Sequence, residues 1–144
     1  MHPRPRISPT RLVLLLVASS FACSSPLEQG PQRVIGLIDN GGGAFPLILP
    51  DSAYVGVPFA VTVTTFGGGC DRADGAEVRT SGLLADITPY DLLPAPGTIC
   101  IAILRTLPRS VELTFMTPGS GVVRVHGRGP NGNVTLQRSV TVRP

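Results

Sequence analysis

Three acids crowd into one short stretch, Cys70-Asp-Arg-Ala-Asp-Gly-Ala-Glu77, and the carboxylates of Asp71, Asp74 and Glu77 around Gly75 are of the type that holds a hard cation such as calcium. An EF-hand loop places its acids at alternating positions and closes on a distant glutamate, which this stretch does not, and Arg72 offsets part of its charge. The plainer expectation is a solvated loop with an aspartate turn, and no metal or cofactor is assigned. His126 is a base or ligand by type. It has no neighbouring histidine and no activated serine or cysteine motif to serve, so it reads as an exposed strand residue and no catalytic residue is assigned. The glycine triplets at 41–43 and 67–69 lack the Lys-Ser or Lys-Thr of a phosphate loop. All 12 basic residues are arginine, which excludes any lysine-dependent mechanism. Asn133-Val-Thr135 spells a glycosylation acceptor and reads as hairpin sequence. Tyr54 and Tyr90 with a few arginines offer a carbohydrate-binding face, against packing at strand ends.

The elements that would position these groups begin with an address. Arg4, Arg6 and Arg11 precede an apolar run from Leu12 to Ala18, too short to span a bilayer as a permanent helix, which is the layout of a secretion signal. Ser20, Phe21 and Ala22 directly before Cys23 resemble the lipobox of bacterial lipoproteins, with Ser20 where leucine is commonest. The resemblance implies cleavage before Cys23 and acylation of its thiol, hence a signal peptide over 1–22 and a membrane partner reached through the lipid anchor. It also implies an exported protein of the cell envelope, at the outer membrane or cell surface. Ordinary secretion, with cleavage after Ala18 or Ala22, would leave Cys23 as an odd thiol in an oxidising compartment.

The formal charge of +3 invites a nucleic-acid reading, but Arg4, Arg6 and Arg11 leave with the signal and the remainder carries nine arginines against nine acids. No nucleic-acid partner is expected. Beyond the signal lie 122 residues, enough for one domain. Cys70 and Cys100 then form an even pair in an exported protein, for which a disulfide is the default. Residues 23–46 mix proline and glycine around one apolar segment, Val34 to Ile38, and read as a lipidated tether; about 20 such residues have a mean reach near 25 Å. Val34 to Ile38 is alternatively a first strand docked on the domain.

From residue 47 to 144 the pattern is β throughout, in short alternating runs punctuated by glycine and proline. Phe59, Val61 and Val63 alternate with Ala60, Thr62 and Thr64 until Gly67 to Gly69 end the strand. Short strands follow at Ala76 to Thr80 and at Leu83 to Thr88, before Pro89. Ile99 to Leu104, apolar on both parities, reads as a central strand covered on both faces, or one whose outer face meets a neighbour. Val111, Leu113 and Phe115 form a half-buried row, as do Val123 and Val125 opposite Val122, Arg124 and His126. Asn131-Gly132 signals a hairpin loop longer than two residues. Arg138 falls on the apolar parity of Val134, Leu136, Val140 and Val142, which requires either a bulge or an arginine stem along the core edge. The proline-rich segment from Ile87 to Gly97 is the candidate recognition loop, with Tyr90 in it and Leu92 and Leu93 as its apolar tip. Its alternative is a crossover between sheets with the leucines on the core.

The entry Val55-Gly-Val-Pro-Phe-Ala-Val-Thr-Val63 and the closing pattern Val-Glu-Leu-Thr-Phe-Met-Thr-Pro-Gly, Val-Val-Arg-Val-His-Gly and Val-Thr-Val resemble bacterial Ig-like domains. The resemblance implies an all-β, Ig-like antiparallel β-sandwich of about seven strands over 47–144. It departs from antibody domains in having no tryptophan and in placing Cys70 in a glycine loop, so the disulfide reads as a loop clamp. By analogy such modules are spacers, adhesion units or accessory binding domains, with an envelope protein or a carbohydrate as partner. Two further readings stand beside this one: a metal-binding or enzymatic envelope protein using Asp71, Asp74 and Glu77, and a subunit of an envelope complex.

Overall fold

Alternation of period two needs a sheet with one dry face, and the described residues supply it in eight strands. In the computed structural model, which describes residues 29–44 and 47–144, these are β1 (Gln32–Ile35), β2 (Ser52–Tyr54), β3 (Phe59–Gly67), β4 (Arg72–Ser81), β5 (Leu84–Leu93), β6 (Arg105–Leu113), β7 (Gly119–Gly129) and β8 (Gly132–Arg143). The expected signal peptide and Cys23 lie outside the described residues. No helix forms among the described residues, and the fold is all-β and sandwich-like. One sheet has the order β1-β5-β7-β8-β2 with β4 on the other edge of β5, and β3 pairs with β6 in the second. Val61, Val63 and Leu113 from the small sheet, with Phe115 just past β6, meet Ala85, Ile87, Val123, Val125, Val140 and Val142 from the large one, and together they form the dry core. Most ladders are antiparallel, while β5 with β7 and β2 with β8 run parallel.

β5 has two neighbours along one edge. Residues Leu84 to Ile87 pair with β7, and Tyr90 to Leu93 pair with β1. Past β1 the chain crosses the gap between sheets: the Gly36 amide donates to the Pro89 carbonyl, Ile38 to Arg128, and Phe66 of β3 to Leu37. A Cβ on Gly36 would lie 2.4 Å from Thr65 Cγ2, so only glycine lets the chain pass here. Ile38 is fully buried. Of the two readings of Val34 to Ile38, the docked strand is therefore the one present, and the packed body begins at Gln32, ahead of Leu47.

The ladders also fix the two ends of the sandwich. Gln32, Gly67, Arg72, Leu93, Arg105 and the hairpin from Gly129 to Gly132 gather at the end where the chain enters; Tyr54, Ser81, Leu84, Leu113 and Arg143 gather at the other.

Four local expectations are corrected. Pro89 does not end its strand: β5 runs on to Leu93, because Pro89 lies opposite Ala76 at the irregular step in β4, where a missing N–H is tolerated. The segment at 70–77 is mostly strand rather than loop, with Gly75 at φ +74° inside the bulge between Ala73 and Ala76. The β7–β8 turn is the two residues Pro130 and Asn131, shorter than expected, since Gly129 pairs with Gly132, which carries the positive φ. Residues 99–104 form no central strand. Ile99 is 98% exposed and Ile101, Ile103 and Leu104 follow at 67%, 49% and 65%, with no regular structure until β6 begins at Arg105. The ladder of β7 with β8 is unshifted through Val123 and Arg138, so no bulge is needed there. The Arg138 stem runs along the edge and its guanidinium donates to the Leu47 carbonyl and the Asp51 carboxylate.

Candidate functional site

The largest gathering of chemically capable side chains is on the outer face of the large sheet. Ala85 and Ile87 point inward and are fully buried, so Asp86 and Thr88 point outward, and the same parity in β7 sends Arg124 and His126 outward beside them. Arg124 grips Asp86 with two bonds, Nε to Oδ1 at 2.8 Å and Nη2 to Oδ2 at 3.0 Å. His126 Nε2 lies 2.7 Å from Asp86 Oδ1, which places its proton on Nε2 facing the acceptor, and Nδ1 lies 3.1 Å from the Thr135 hydroxyl on β8. Arg124 first, then His126, hold the Asp86 carboxyl below its usual range against a smaller opposing effect of burial. With Ile35, Glu77, Arg79, Thr88 and Tyr90 these groups line a shallow hollow of about 380 Å³.

Carboxylate, imidazole and hydroxyl stand in the sequence that activates a nucleophile. Two features set this group apart from a working relay. Both Asp86 oxygens are already engaged by Arg124, and Thr135 sits within a paired strand rather than on a turn that would aim it at a substrate. The arrangement ties β5, β7 and β8 together across their outer face.

The sequence-predicted residues are spread over the fold. Asp74 and Glu77 face Arg33 of β1, at 2.7 and 3.6 Å, and Arg33 also lies 3.7 Å over the Tyr90 ring. Asp71 turns away and accepts the Gly68 amide, three residues before it, at 2.6 Å. The three acids therefore do not converge on a cation position, and no group of three or more His, Cys, Asp or Glu among the described residues does. Tyr90, Leu92 and Leu93, expected as a recognition loop, are instead β5 residues bracketed by β1 and β4, because Pro89 is absorbed at the bulge. Tyr54 lies on β2, at the edge of the large sheet and at the opposite end of the sandwich from Tyr90, so the two tyrosines form no joint patch. Cys70 and Cys100 form the disulfide, with Cα atoms 5.6 Å apart, at the end where the chain enters. Beside it Pro31, Cys70, Arg72, Leu92, Pro94 and Thr98 line a groove of about 260 Å³.

Asp86 and Arg124 escape a reading by motif because a parallel ladder joins them across 38 residues. The trace they leave is their parity: each is a charge on the polar side of a strand whose other side is valine, alanine or isoleucine. No family model, no curated protein and no solved structure matches this chain.

Proposed function

We propose that this chain is a lipid-anchored, non-catalytic protein of the bacterial cell envelope that displays an Ig-like sandwich as a binding or scaffolding module. The observation that carries the reading is the run from Arg11 to Cys23, where an apolar core of signal-peptide length ends on small or apolar residues and one cysteine. The disulfide between Cys70 and Cys100 supports it, because such bonds persist in oxidising compartments and are rare where thiols are kept reduced. So does the outer face of the large sheet, whose acids are neutralised by neighbouring arginines, Asp86 by Arg124 and Asp74 and Glu77 by Arg33. A scaffold face of this kind presents a fixed pattern of charge without an unpaired acid or base to run chemistry. Cys23→Ser tests the anchor. The intact mass of the wild-type chain is expected to be that of residues 23–144 plus acyl chains, and Cys23→Ser to carry neither the acyl chains nor the new start at residue 23; an unacylated wild-type chain removes the reading.

A further inference from the structure

We propose that the exposed strip Ile99, Ile101, Ile103 and Leu104 is a membrane-contact surface, which seats the domain entry end down in the headgroup region of the bilayer that carries the Cys23 anchor. The proposal rests on the lipid-anchor reading for its geometry. Four large apolar side chains within six residues stand 49% to 98% exposed, a density of exposed apolar surface that marks a contact site.

The strip is held out by covalent and steric means. Cys100 inside it is bonded to Cys70 in the turn between β3 and β4. Gly69 in that turn lets the Ile101 backbone approach so closely that a Cβ there would lie 2.4 Å from the Ile101 oxygen. Arg105 donates to the Gly69 carbonyl at 3.1 Å. These ties fix the segment against the end of the sandwich instead of letting its isoleucines fold onto the core.

Position and charge select a lipid surface as the occupant. The groove beside the disulfide is lined by both Pro31 and Thr98, so the chain enters the domain next to the strip. From Cys23 to Gln32 only the eight residues 24–31 intervene. However they are arranged, they span at most about 30 Å, so the entry end stays within reach of the headgroups while the Tyr54 end, a sandwich length away, is held off. Arg72 and Arg105, both exposed, flank the strip and provide donors for lipid phosphates, the pairing of apolar and arginine side chains that suits an interface.

The test uses the full mature chain in vesicles of phosphatidylethanolamine and phosphatidylglycerol. The protein has no tryptophan, so Ile99→Trp and Leu104→Trp each give a single reporter on the strip, and Tyr54→Trp gives one at the far end. Nothing packs on Ile99, so its replacement leaves the fold in place. The strip reporters are expected to be blue-shifted and quenched by brominated lipid at least about twofold more than Tyr54→Trp. Equal access of all three to aqueous acrylamide, with no effect of brominated lipid, overturns the proposal. So does a blue-shifted strip reporter that neither reagent quenches, which would place protein, such as a second copy of the chain, over the strip. The intact mass of the same preparation separates the two readings. An acylated chain without lipid quenching loses the strip alone; an unacylated chain that keeps the quenching loses the anchor alone; an unacylated chain without quenching loses both.

Discussion

Arg109 of β6 reaches across the core to the Asp91 carboxylate and the Tyr90 carbonyl of β5, the Thr65 hydroxyl of β3 and the Gly75 carbonyl of β4. Its side chain is 6% exposed and that of Asp91 4%, so both charges have left water and rely on each other. Asp91→Ala, which leaves the arginine buried without its partner, is expected to lower stability in urea by about 3–5 kcal/mol, whereas replacing both with leucine should restore most of the loss. A cost below about 1 kcal/mol for the single change would show that the pair is solvated. Asp86 gives a second prediction. Its native pKa is lowered by Arg124 and His126 below the unfolded value, so its contribution is complete above the unfolded pKa and disappears as pH falls through the native one. The acid limb of a stability profile should therefore be shallower in Asp86→Asn, and an unchanged limb would contradict the assignment. These polar residues were only partly legible in the sequence. An arginine on apolar parity announces itself at Arg138 and equally at Arg109, between Leu107 and Val111, but its acidic partner depends on which strand the topology places opposite, and no local rule supplies that.

The strands that alternate cleanly were legible because one face of each is dry: β3, β6 and β7 keep the expected valines, leucines and phenylalanine inside. Three of the four failures share one cause. Pro89, the acidic segment and residues 99–104 were each read by a local rule that a nonlocal bond overrides, a bulge in the first two and the disulfide in the third. Apolar content alone reads as burial, and a covalent tie to the turn before β4 is what keeps Ile99 to Leu104 outside. Cleavage of that tie is expected to cost about 3.5 kcal/mol in the chain-entropy model for a separation of 30 residues, checked by urea unfolding with and without reductant. Gly69→Ala, whose Cβ would sit 2.6 Å from Ile101 Cγ1, is expected to push the segment off and speed thermolysin cleavage within it. Unchanged cleavage would show that the strip is not seated on that turn.

At the scale of the whole molecule, the sandwich-like all-β fold follows from the period-two pattern and the absence of any amphipathic helix, while the order of strands required the structure. The parallel contact of β5 with β7 and the crossing of residues 36–38 between sheets draw the N-terminal entry, the disulfide and the apolar strip to one end. On the proposed anchoring, that polarity points the opposite end, with Tyr54 and Arg143, away from the membrane. The intact mass of the membrane-extracted protein, alkylated before and after reduction, reads the anchor and the disulfide together. The expected mass is that of residues 23–144 plus acyl chains, with two cysteines alkylated only after reduction; an unacylated mass with thiols that alkylate without reductant would rule out the anchored, disulfide-bonded module.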